Sequence, residues 1–264
     1  MRRSLLLALV TTTALAGPAA GQRRGDQARL SFGIGIGYNG AARMWRVDGQ
    51  ELFDNFSRDT ATVTRDVRPT IGIVFIGAYH PNDHWGITGE AHLIGIGFED
   101  GCTLRSNSGS SRNQQICTNI NGNESPATTV SATVGGMYRP FPWTEIQPYV
   151  RGNLGLLVSQ LSAVRMKGTF VNSASEEVDY YIFQDDRPAS ISPTVALAAG
   201  LTAFVSRSYQ LRFEVKDNIV SLEHVTSTVP FPTQEPTSER RIHHVFSMTM
   251  GLEVVLEKRR GRRY

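Results

Sequence analysis

Arg212, Glu214 and Lys216 alternate along Tyr209-Gln210-Leu211-Arg212-Phe213-Glu214-Val215-Lys216, with Leu211, Phe213 and Val215 between them. Charges two residues apart leave an extended strand on one face. Opposite charges placed this way can pair with each other or line a narrow ion path. Glu90 and His92 share a face in the same manner, and Thr88 is the nearest hydroxyl. His244 and Ser247 are three apart, so on a regular strand they face opposite ways. Glu176-Glu177 and Asp185-Asp186 could hold a divalent cation, but solvated acidic loop is the commoner fate of such pairs. His80, His84, His92, His224, His243 and His244 are scattered, which favours interface or lumen positions over metal ligation. No catalytic, metal or cofactor site is expected.

The elements that carry these charges read as strands. The apolar period is 2 rather than 3.6. In 29–38, Leu30, Phe32, Ile34, Ile36 and Tyr38 face Ser31, Gly33, Gly35 and Gly37 across the chain. Seven further segments follow at 69–80, 85–98, 128–139, 145–160, 190–206, 209–220 and 244–256. Glu90, Arg151, Arg212, Glu214, Lys216 and Glu253 all fall on the polar faces of these segments. If those faces line a closed interior, the six must neutralise one another, because an unpaired buried charge is expensive.

The links alternate in length. Long polar stretches at 39–68, 99–127, 161–189 and 221–241 alternate with short ones at 81–84, 140–144 and 207–208. This is the rhythm of an up-and-down barrel with longer outer loops and short periplasmic turns. Tyr79, Trp85, Tyr138, Trp143 and Tyr209 gather beside the short links and predict a periplasmic aromatic girdle. Segments 166–171 and 178–183 flank Asn172-Ser173-Ala174-Ser175 and could extend strands beyond the lipid.

Arg2 and Arg3, the apolar run from Leu5 to Ala16, and the small residues Ala19-Ala20-Gly21 predict a cleaved signal peptide over 1–21. The barrel is assigned to 22–257 and a basic tail to 258–264. The net charge is +3 and loses two arginines with the signal, a balance that gives no reason to expect nucleic acid. The tail could touch an anionic surface, but a solvated chain end is the simpler reading. Cys102 and Cys117 make an even count in an exported chain and predict one disulfide across a loop-like stretch. After the signal no run of 18 apolar residues occurs, so a membrane-spanning form must be a closed barrel.

A soluble barrel would turn its apolar faces inward. Here the polar faces are rich in Gly, Ala, Ser and Thr, which suit the narrow lumen of eight strands, and the bulky residues suit lipid. The expectation is therefore an all-β fold: an eight-stranded antiparallel up-and-down transmembrane β-barrel with four long outer loops and three short periplasmic turns.

The pattern resembles the small outer-membrane barrels of the OmpA/OmpX type. Residues 209–215, the final strand Phe246 to Leu256 and the link alternation carry the resemblance, which spans nearly the whole chain after the signal. It implies a monomer in the outer membrane of a diderm bacterium, in contact with lipid and inserted by the barrel assembly machinery. It also implies a structural, adhesive or surface-interaction role, with an extracellular ligand met through the loops. One departure is the end of the chain: such barrels close on an aromatic residue, whereas here alternation stops at Leu256 and Tyr264 follows the basic tail. Some small outer-membrane barrels are lipid A-modifying hydrolases, whose deacylase type pairs His and Ser two apart. The three-residue spacing of His244 and Ser247 departs from that, so a non-enzymatic role is the primary expectation, with a hydrolase or a narrow solute pore as alternatives.

Overall fold

In the computed structural model, residues 27–259 are described except 41, 55–56, 107, 122–123, 160–161, 186–189, 207 and 232–233. The expected signal peptide and residues 260–264 of the expected tail lie outside the described residues.

Eight strands form the barrel: β1 (Gln27–Asn39), β4 (Thr70–Tyr79), β5 (Trp85–Leu104), β6 (Glu124–Tyr138), β7 (Ile146–Ser159), β10 (Ser190–Phe204), β11 (Tyr209–Val225) and β12 (Ser238–Arg259). Each is antiparallel to its neighbours, and β1 pairs with β12 as well as β4, so the sheet closes on itself. Closure leaves no barrel edge unpaired, which lipid requires. The inserted strands are β2 (Ala42–Asp54), β3 (Ser57–Val67), β8 (Met166–Val171) and β9 (Glu177–Phe183), with one helix, α1 (Ser111–Asn121). Among the described residues no helix is long and apolar enough to cross a membrane.

The period-two pattern sets the facing. Ile34 and Ile36 on β1, Ile71 on β4, Ile87 on β5, Val134 on β6, Leu154 on β7, Leu197 on β10, Val215 on β11 and Met250 on β12 are all exposed. Such a belt on every strand would be costly in water and is neutral in acyl chains. Inward, Thr88, Glu90, Arg151, Asn153, Arg212, Glu214, Lys216 and Glu253 are buried. β4 departs from the polar-inside rule, turning Val74, Ile76 and Ala78 inward as well. On β10, Gly200 is required by close approach: a Cβ there would overlap the Tyr149 hydroxyl and the Phe213 carbonyl.

The short turns lie at one end, at 80–84, 139–145 and 205–208. At the other end the strands overrun the bilayer. A tilted strand crosses with roughly 9–11 residues, whereas β12 has 22 and β5 has 20. The surplus, joined by the inserted elements, folds into a cap over the outer mouth. β3 extends the sheet by pairing with the outer part of β5, from Val67↔Phe98 to Ala61↔Leu104. β12 also continues through Arg259, paired with Gln27, so Lys258 and Arg259 prolong the strand where the sequence suggests a tail.

Candidate functional site

The interior is occupied by a chain of ion pairs. Glu90 comes from β5, Arg151 from β7, Arg212, Glu214 and Lys216 from β11, and Glu253 from β12. Alternation aims all six at the axis, and an eight-stranded lumen is narrow enough for them to meet. Arg151 donates through Nε and Nη2 to Glu214 at 2.7 and 2.6 Å, and Nη2 also contacts Glu90. Lys216 pairs with the other oxygen of Glu90. Arg212 lies between Glu253 and Glu214, at 3.7 Å from the latter, and stacks its guanidinium 4.8 Å from the Tyr149 ring centre. Tyr149 donates its hydroxyl to Glu214 at 2.8 Å.

Polar neighbours widen the network. Asn153, oriented to satisfy both amide atoms, faces Arg151 Nη1 with its oxygen (2.8 Å) and Thr88 Oγ1 with its nitrogen (2.9 Å). Gln210 donates to Glu253. Arg139 donates to Gln147 Oε1 at 3.1 Å near the periplasmic mouth. Three carboxylates balance three cations among the six, so the network is neutral as a set. Sequence reasoning places these six residues on inward faces; the structure brings all of them into one connected group.

Above this network, toward the outer end, the lumen opens into a chamber. Its lining includes Thr133, which is opposite Glu90 in register, and Asn218, two residues beyond Lys216. Val67 and Ala163 from the cap line its outer side.

The cap has its own hydrophobic core, which the sequence reading, treating 39–68 and 99–127 as polar links, does not anticipate. Trp45, Leu52, Val63, Ile116, Ile120, Met166, Ile182 and Phe183 pack there with Cys102 and Cys117. Trp45 donates Nε1 to Ala163 O at 3.0 Å and meets Phe183 edge-on at 5.7 Å. Arg65 forms a two-bond ion pair with Asp100 (2.6 and 2.7 Å) and lies between the rings of Trp45 and Phe98. Its planar fork suits this dry setting better than an ammonium would. Cys102 and Cys117 form a disulfide with Cα atoms 5.2 Å apart, fastening α1 to the end of β5. Ser110 caps α1 by accepting from Asn113 N–H at 3.2 Å.

Asp59 ties the β2–β3 hairpin to this helix. It accepts from Ser108 N–H (2.6 Å), Ser108 Oγ (2.7 Å) and Asn113 Nδ2 (2.8 Å). Burial pushes its carboxyl up, but the Asn113 and Ser108 bonds outweigh that and hold it below the usual aspartate range. Exposed Asp48, bonded by Arg46 and Thr62, is lowered to about 2.

The five residues of the expected girdle all sit by the short turns. Tyr79, Trp85, Trp143 and Tyr209 are exposed, and the Trp85 and Tyr138 rings lie 4.8 Å apart. No catalytic triad is assembled among the described residues. His244 is exposed and bonded to Asp217 at 2.8 Å, while Ser247 is buried on the opposite face. His92 lies opposite Ser131 in register, yet neither of its ring nitrogens has a hydrogen-bond partner among the described residues. Asp185 is buried and accepts from Ser162, and Asp186 lies outside the described residues. No cluster of three or more metal-ligating side chains occurs among the described residues.

No protein-family model and no curated protein sequence matches the chain. Solved structures that do match are small outer-membrane proteins. Neisserial surface protein A matches with 9% identity and a TM-score of 0.44, over 88% of this chain and 99% of that one. AlkL, solved in lipid bilayers, shows 13% identity and a TM-score of 0.41, over 94% and 97%. OprG from Pseudomonas aeruginosa shows 13% identity and a TM-score of 0.40, over 90% and 99%. Similarities of this size add little to the strand pairings, which define the class themselves.

A closed antiparallel barrel, apolar outside and polar within, is a transmembrane barrel of the outer-membrane type. Within that class this chain is a small eight-stranded up-and-down barrel with four long outer connections and three short periplasmic turns.

Proposed function

We propose that the protein is a non-enzymatic, plugged outer-membrane barrel that acts by presenting its cap at the cell surface. The observation carrying this reading is the outer cap itself. Its loops are gathered on a dry core and tied by the Cys102–Cys117 disulfide and the Arg65–Asp100 pair, which gives a defined surface rather than mobile tethers. Rigid scaffolds that display shaped loops are suited to recognition. The interior supports the same reading, because five ion-pair contacts among six side chains span a narrow lumen and favour a blocked path over a conducting one.

Two measurements test this together. Purified protein in planar bilayers is expected to give no stable conductance; large, steady openings contradict the plug. Intact cells treated with an impermeant amine reagent are expected to label Lys167, which is half-exposed on β8. Protection of Lys167 until the outer membrane is breached contradicts the outward cap. Mass spectrometry of lipid A from cells with and without the protein separates the hydrolase alternative, for which an altered acyl pattern is required.

A further inference from the structure

The outer chamber is framed by every strand of the barrel and lies between the ion-pair network below and the cap residues Val67 and Ala163 above. Its cavity volume is about 40 Å³, room for a few water molecules. Among the described residues no charged side chain lines it. Most of its exposed surface is carbon, with Val67, Phe98, Leu157, Val220 and Val245 contributing, although Thr70, Ser131, Thr133 and Asn218 are among the polar residues that also line it. Asn39 stands out against that wall. It is the last residue of β1, it is 2% exposed, and neither Nδ2 nor Oδ1 has a partner among the described residues. Its register neighbours do not bond it: the Ser247 hydroxyl accepts from Asn218 Nδ2 at 3.0 Å, and the Thr70 hydroxyl has no partner among the described residues. An amide buried with both its donor and its acceptor idle is costly, and such groups in native proteins call for a partner.

We propose that this chamber is a binding site for one small neutral molecule with an apolar body and a single primary amide, which pairs reciprocally with the Asn39 carboxamide. The uncharged wall disfavours ions, since a charge would enter without a counter-charge. The apolar wall takes the body of the molecule, and Asn39 fixes its orientation, the usual division of labour in small-ligand sites. The ion-pair network of Glu90, Arg151, Glu214 and Lys216 lies just below the site, with Thr133 of the lining opposite Glu90 in register. Binding here is thus separate from the surface role proposed above and survives if that role is wrong.

The test uses the full refolded protein in lipid nanodiscs, with isobutyramide as probe and isobutyrate as its charged control. NMR of the Asn39 side-chain amide and of the Val67, Val220 and Val245 methyls is expected to show saturable shifts with isobutyramide and none with isobutyrate. Asn39→Leu, similar in volume, is expected to weaken the amide about tenfold, the value of a lost pair of modest hydrogen bonds. Val220→Phe fills the chamber and is expected to abolish binding with Asn39 intact. Heat-dependent gel migration shows that each variant is folded. The proposal is overturned by equal binding of amide and acid, by an unchanged affinity in Asn39→Leu, or by an Asn39 amide that pairs with ordered waters the probe fails to displace.

Discussion

Arg151 is the keystone of the interior, and its removal should be costly in a way that depends on Glu214. Its guanidinium is fully buried, makes two bonds to Glu214 at 2.6 and 2.7 Å, and also meets Glu90. Arg151→Met keeps much of the volume but leaves the network with one excess negative charge. Glu90 retains Lys216, whereas Glu214 keeps only the Tyr149 hydroxyl at 2.8 Å and Arg212 at 3.7 Å. Breaking one member of a buried pair while stranding the other costs roughly 3–5 kcal/mol. Glu214→Gln alone leaves the opposite excess and should also destabilise. Combined, the two changes restore neutrality, so their joint cost should fall short of the sum by about 1–3 kcal/mol. The assay is reversible urea unfolding in lipid vesicles, followed by tryptophan fluorescence and by gel migration to check two-state behaviour. Additivity within about 0.5 kcal/mol, or a cost for Arg151→Met below about 1 kcal/mol, would refute the claim that these charges are mutually compensating.

Further outcomes follow from the lipid face and the cap. Met250→Arg, exposed on β12 opposite Phe213 and Ile36, should cost about 2–4 kcal/mol in the same vesicle assay if it lies near the midplane. A cost near zero would place that face in water. Reducing Cys102–Cys117, 15 residues apart, should loosen α1 and the end of β5 by about 3 kcal/mol while the barrel keeps its folded gel migration; hydrogen exchange checks this, and collapse of the barrel on reduction contradicts an independently packed cap. Asp59 titrates lower in the folded cap than in the unfolded chain. Its bonds therefore stabilise fully above the unfolded value near ~4, and the stabilisation fades as pH falls through the lower folded value. Amide exchange of α1 should accelerate over that acidic window, and Asp59→Asn should flatten the dependence; identical profiles for both proteins would exclude Asp59 as the cause.

The barrel was legible because one variable, the period of two, decides facing along every long strand. Ile34, Ile36, Phe213 and Met250 could be assigned outward, and Arg151, Glu214 and Lys216 inward, without knowing any strand partner. The number of strands followed from link lengths. Which inward charges meet was not legible, because it depends on register: Arg151 reaches both Glu90 and Glu214 only through the stagger of β5, β7 and β11. The cap was hidden for other reasons. In β2 the alternation is broken twice, by irregularities at Arg43/Trp45 and Val47/Gln50, so the buried Met44, Trp45, Val47, Gln50 and Leu52 do not keep one parity. In β3 the alternation Ala61, Val63, Arg65, Val67 was present, but a buried arginine and flanking polar residues disguised it. α1 carries one narrow stripe, Asn113, Ile116, Cys117 and Ile120, in an otherwise polar segment. Its helicity depends on packing and the disulfide more than on propensity. Asn39 gave no signal at all, since an unpaired amide is defined by what surrounds it.

Spin labels placed singly along 246–254 of β12 test the central claim most directly, because the native cysteines are held in a disulfide and leave the introduced ones distinct. The account predicts that labels at 246, 248, 250, 252 and 254 collide readily with lipid-dissolved oxygen, while labels at 247, 249 and 253 are shielded and immobile. Reversed or uniform accessibility along the strand would mean that the bulky face is not in lipid and that the charges do not fill the tube.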